Sequence, residues 1–148
     1  MIIDLTYHQT SEISIPTDPT ALKSVLAWFD QFRSAPIPHK TWMQCQLALI
    51  EGVTNAVRHA HADLPAATPV RVTVDIQDDT VSMCIWDQGP GFDLMTVLKS
   101  KLTTDNREAE GGRGLKIMYL VADQLTYAPC PGQGNCLRLQ KIFTPPLT

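Results

Sequence analysis

No run in the sequence approaches the roughly 20 apolar residues that cross a bilayer, and the first ten residues, MIIDLTYHQT, carry no signal-peptide pattern. Neither membrane insertion nor export is expected. Positive charge is also scarce: 12 Lys and Arg against 15 Asp and Glu leave a net charge of −3. A general nucleic-acid binder usually presents a basic face, so direct contact with nucleic acid is not expected either. The four cysteines, Cys45, Cys84, Cys130 and Cys136, form no C-x-x-C pair. Their expected state is free, mostly buried thiols in a reducing cytosol, which makes the protein cytoplasmic. Internal repeats and long low-complexity linkers are absent, so residues 1–148 read as one domain, long enough to bury a real core.

Familiar catalytic signatures are missing too. There is no G-x-x-x-x-G-K-[ST] loop, and a G-x-G-x-x-G fingerprint fails at Ile117. H-E-x-x-H is lacking, as are the H-R-D and D-F-G signatures of ordinary protein kinases.

What is present is periodicity. Ile13 and Ile15 alternate in a short strand that meets PTDP, with Thr17 or Asp18 as a helix cap. Leu22, Val25, Leu26 and Phe29 predict a helix over 19–34, and the same spacing predicts a longer one over 39–62. Val70, Val72, Val74 and Ile76, then Val81, Met83 and Ile85, alternate around QDDT as a hairpin. DQGPGFD is a turn. Residues 99–112, KSKLTTDNREAEGG, are nearly all polar and read as a loop, functional or mobile at that length. RGLKIMYLVADQL restores helical spacing, and two final strands flank PCPGQGN, the last carrying Leu137, Leu139 and Phe143. The order β, α, α, β, β, loop, α, β, β predicts an α+β fold, a two-layer sandwich with helices on one face of a mostly antiparallel sheet.

Three polar patterns fall on this frame. Glu51, Asn55 and His59 are four apart, so a helix places them on one face, opposite Trp42, Met43, Ile50, Val53 and Val57. Taken alone, such a face reads first as simple solvation. Asp87, Gly89 and Gly91 follow a strand, where glycine allows close approach of a ligand. Gly111, Gly112 and Gly114 open a helix, where free backbone N–H groups can cradle phosphate. Arg113 and Lys116 beside them could neutralise phosphate charge.

In their order, Glu51-x-x-x-Asn55, Asp87-x-Gly89-x-Gly91 and Gly112-x-Gly114 resemble the N, G1 and G2 boxes of the GHKL (histidine-kinase-like) ATPases. The resemblance runs over about residues 10–143. EGVTNAVRHAH and GGRGLKIM are most similar to the bacterial anti-sigma-factor serine/threonine kinases. It implies a Bergerat-type ATP-binding fold using ATP and Mg²⁺. Asn55 matches the Mg²⁺-coordinating asparagine, Glu51 the acid that serves as general base or positions the nucleophile, and Asp87 the aspartate that accepts from the adenine amino group. Gly89 and Gly91 match pocket-lining glycines. Residues 99–112 match the lid, with Gly112 and Gly114 as its hinge and phosphate contact. His59 occupies the family's histidine position and is expected to pack or to support a neighbour by a hydrogen bond. The implied partners are an RNA polymerase sigma factor and a STAS-domain antagonist, and the implied assembly is a homodimer. An ATP-binding interaction module without kinase activity, or a histidine-kinase-type ATP-binding domain, is the alternative. Two departures stand out: Asn135 replaces the usual threonine near the last strand, and Gly52 stands where alanine is commoner, as if for close packing to a partner or ligand.

Overall fold

The computed structural model describes residues 7–103 and 110–146. Among these, five strands and four α-helices form: β1 (His8–Ile15), α1 (Leu22–Phe29), α2 (His39–Asn55), β2 (Val70–Gln77), β3 (Thr80–Asp87), α3 (Leu94–Thr103), α4 (Glu110–Val121), β4 (Gln124–Cys130) and β5 (Gly134–Ile142). The strands make one antiparallel sheet in the order β1-β2-β3-β5-β4.

The alternation in the sequence becomes the two faces of this sheet. Val70, Val72, Val74 and Ile76 are buried, as are their cross-strand neighbours Val81, Met83 and Ile85, and Leu137 and Leu139 beyond them. The β2–β3 hairpin turns at Asp78, whose φ of 57° is left-handed, a conformation Asp tolerates well. The helices lay their apolar stripes on the buried face, which gives the expected α+β sandwich.

Capping sets where the helices begin. Asp18, rather than Thr17, caps the turn at Pro19–Ala21 that leads into α1, accepting from the Thr20 N–H at 2.9 Å. Asp93 accepts from the Thr96 N–H at 3.1 Å and starts α3. The expected loop over 99–112 is therefore helical at both ends, with α3 running to Thr103 and α4 starting at Glu110. Asp93 followed by buried Leu94 and Leu98 was a readable start signal, masked by the polar run that follows. The middle of the expected lid, 104–109, lies outside the described residues.

Gly52 is explained by the protein's own core. A Cβ there would lie 2.2 Å from Ile85 Cδ1 on β3 and 3.0 Å from Met118 Cε on α4. The missing side chain leaves room for the tips of Ile85 and Met118, so α2 packs closely on both sheet and neighbouring helix. No partner or ligand is needed for that glycine. Met43, expected on the buried side of α2, is 46 % exposed; Trp42, Cys45, Ala48 and Leu49 fill the core instead. The four cysteines are free, two buried and two partly exposed. Burial pushes the Cys45 thiol up to about 12.

Candidate nucleotide site

The site forms where α2 meets both glycine motifs. The helix delivers its polar face up to Asn55 and then widens into a single π-turn, Ala56–Ala60, with the His61 N–H bonded to the Ala56 carbonyl at 2.9 Å. At one end of this segment, Gly114 of α4 packs on Glu51: an added Cβ would stand 2.8 Å from Glu51 Oε2. At the other end, Gly89 packs on the π-turn, and a Cβ there would stand 2.4 Å from the Ala60 carbonyl oxygen. A backbone oxygen cannot give way as a side-chain tip can, so this glycine is required for the approach. Asn55 lies between these two contacts along the chain. It is 7 % exposed, and its amide has no hydrogen-bond partner among the described residues. An amide held in this way keeps its oxygen available for a ligand.

Asp87, the last residue of β3, is buried, and three donors converge on its carboxylate. Oδ1 accepts from the Gly89 N–H at 2.9 Å and from Asn135 Nδ2 at 3.0 Å, and Oδ2 accepts from the Tyr127 hydroxyl at 2.8 Å. Asn135 arrives by register, directly opposite Asp87 on β5, and its amide also donates to the Gly89 carbonyl at 2.9 Å. It thus takes over the supporting role expected of a threonine. A carboxylate offers about four lone-pair sites, so these bonds leave one, on Oδ2. The remaining site suits a single incoming N–H donor. Burial and the bond to Asp87 both push the Tyr127 phenol well up, keeping it a donor. Its ring stacks on Phe92 at 4.3 Å between centroids. Gly91, with φ of +83°, turns the chain beside Asn135.

The residues expected at the site are brought together unevenly. Glu51 and Asn55 lie on α2, Gly89 packs on the π-turn that extends it, Asp87 and Gly91 flank Asn135, and Gly114 closes on Glu51. Gly114 lies beyond the first turn of α4, so its visible part is helix packing, whereas Gly112 and Arg113 lie in that first turn, where N–H groups are free. The Arg113 side chain is exposed. His59, expected to pack or to support a neighbour, lies exposed on the π-turn, and its ring makes no hydrogen bond among the described residues. The buried histidine is His61, and Tyr127 was also missed. No local signal marks either, because their partners lie 27 and 40 residues away in the chain.

Comparison with known proteins gives the family. A family model described as "Histidine kinase-like ATPase domain" matches residues 15–141. The chain is 36 % identical over 92 residues to an anti-sigma F factor of Pasteuria penetrans, covering 62 % of this chain and 61 % of that protein. It is 31 % identical over 93 residues to the serine-protein kinase RsbW of Staphylococcus aureus, covering 59 % and 58 %. The chain thus spans about three-fifths of the length of the curated relatives it matches. No helix among the described residues is long and apolar enough to cross a membrane. By sequence match, motif order and fold together, the chain belongs to the histidine kinase-like ATPase domain family.

Proposed function

We propose that this protein is an ATP-dependent serine/threonine protein kinase that also sequesters an RNA polymerase sigma factor, and that its phosphate acceptor is a STAS-domain antagonist of that complex. The observation that carries this reading is the junction at the end of α2: Glu51 and Asn55 lie on the helix, and the turn after β3 packs its Gly89 against the π-turn that extends it. The printed names of the two relatives, an anti-sigma factor and a serine-protein kinase, support the same reading.

Asp87 would read the base, since its remaining lone pair suits the adenine amino group. The bare amide of Asn55 fits a shared Mg²⁺, which takes oxygen ligands from a few protein groups and substrate phosphates. When bound, the ion supplies neutralisation of phosphate charge. Glu51 lies one helical turn before Asn55, about 5.4 Å along the axis. It would accept the proton of the partner's hydroxyl, leaving the metal position to Asn55. The added phosphate, about −1.5 to −2 charges, would then weaken the partner's hold on this protein.

The test is transfer of labelled phosphate to a STAS partner, run beside nucleotide binding. Glu51→Gln is expected to keep ATP and partner binding while transfer falls about 10²- to 10⁴-fold, the usual worth of a positioned base. Transfer at the wild-type rate by Glu51→Gln would refute the base assignment. A wild type that binds ATP and its partner yet transfers nothing would leave a nucleotide-dependent interaction module.

A further inference from the structure

His61 holds an unusual place for a histidine in this chain. It is 1 % exposed and bridges three separate segments. Its Nε2 accepts from the backbone N–H of Gln88 at 2.7 Å, in the turn between Asp87 and Gly89. Its Nδ1 lies 2.8 Å from the Thr17 hydroxyl, which in turn donates to the Thr68 carbonyl at 2.6 Å. The single hydroxyl hydrogen of Thr17 is committed to Thr68, so Nδ1 must carry the proton that joins His61 to Thr17. An unprotonated Nε2 and a protonated Nδ1 define one neutral tautomer. The hydrogen bonds alone determine that state.

We propose that His61 is a positioning residue for the nucleotide site: its neutral ring ties the Asp87–Gly91 turn to the end of α2 and to the segment before α1. The role rests on the nucleotide reading above. Asp87 is the charged group facing the ring, and the segment before α1 presents Thr17, held by the Thr68 carbonyl. Protonating Nε2 would turn an acceptor into a donor aimed at the Gln88 N–H. The turn carrying Asp87, Gly89 and Gly91 would then have to move. Burial lowers the pKa of His61 below 6.5, and Asp87 offsets this only in part. The neutral lock is therefore kept at neutral pH and lost as the solution becomes more acidic than the folded value.

Binding of ADP with magnesium chloride, measured from pH 8 to pH 5, tests the role in three proteins. Wild-type affinity is expected to fall on acidification, approaching about tenfold per pH unit below the His61 pKa, the slope of one linked proton. His61→Gln places an amide oxygen where Nε2 stood and cannot gain a proton. Its affinity at pH 8 is expected within about threefold of wild type, with the acid loss reduced to what Asp87 and the nucleotide contribute. His61→Leu leaves the Gln88 N–H unpaired and is expected to bind about tenfold or more weakly at pH 8, the effect of one unmet buried donor. Ring-nitrogen NMR without nucleotide checks the lock independently. A proton on Nε2 at pH 8, or wild-type affinity at pH 8 in a folded His61→Leu protein, would overturn the positioning role. Failure of wild type to bind ADP at any pH, with the tautomer intact, would instead overturn the nucleotide reading and the role built on it.

Discussion

Replacing Asp87 by Asn tests the proposed base-reading role most directly, because the structure separates its effects on folding and on binding. Oδ1 receives two donors and Oδ2 one. In the amide, the oxygen can stay at the Oδ1 position and keep Gly89 and Asn135 bonded. The new NH₂ then faces Tyr127, whose hydroxyl can turn from donor to acceptor. The three bonds survive but lose their charge assistance, at about 1 kcal/mol each. A loss of about 2–3 kcal/mol leaves a protein of typical stability, about 5–15 kcal/mol, folded. The ligand fares worse. The one free lone pair on Oδ2 becomes an N–H, so an incoming amino group meets a donor instead of an acceptor. Losing a bond to a charged acceptor costs about 1.5–3 kcal/mol, or about 10- to 150-fold in Kd. Titration calorimetry with ATP measures the affinity, and circular dichroism reports folding. Tyr127→Phe is the control: it removes a donor from Oδ2 but keeps the charge, so its affinity is expected within about threefold of wild type. A folded Asp87→Asn protein with wild-type affinity would refute the reasoning. So would a Tyr127→Phe loss as large as that of Asp87→Asn, since the effect would then come from distortion of the turn.

Asn55→Ala is expected to abolish the part of ATP affinity that depends on magnesium while leaving magnesium-free binding nearly unchanged; equal losses with and without the ion would count against a shared metal position. Gly52→Ala gains up to about 1 kcal/mol of helix propensity but drives a methyl into Ile85 and Met118, an overpacking cost of about 1–3 kcal/mol. A net loss of up to about 2 kcal/mol should lower the melting temperature by up to a few degrees, and a rise would show that the core yields freely there. Among the thiols, Cys84 should react first with a thiol reagent near pH 7. A hydrogen bond from Cys136 lowers its pKa, whereas Cys45 stays a protonated, buried thiol. Labelling of Cys45 before Cys84 in the folded protein would contradict this order.

Most of the elements, α3 excepted, and the order of the motifs were legible because they rest on local rules. Alternation at Val70–Ile76 and Val81–Ile85 specifies strands whichever sheet they join, and a four-residue step places Glu51 and Asn55 on one helix face without any partner. The turn at Asp78 follows from the residue types around it. What the sequence could not place depends on register across the sheet and on one departure from helical geometry. Asn135 reaches Asp87 only because β5 pairs with β3 in a frame that sets those two residues opposite each other. Tyr127 reaches the same carboxylate from β4, one strand further out. Spacing along the chain does not encode those meetings. The histidines show it most sharply: regular helix spacing favours His59, but one π-turn sends His59 to solvent, and tertiary packing leaves His61 against Gln88. Local spacing decided which residues could serve the site, and long-range packing decided which of them meet, because those contacts form only once the sheet and helix layers close on each other.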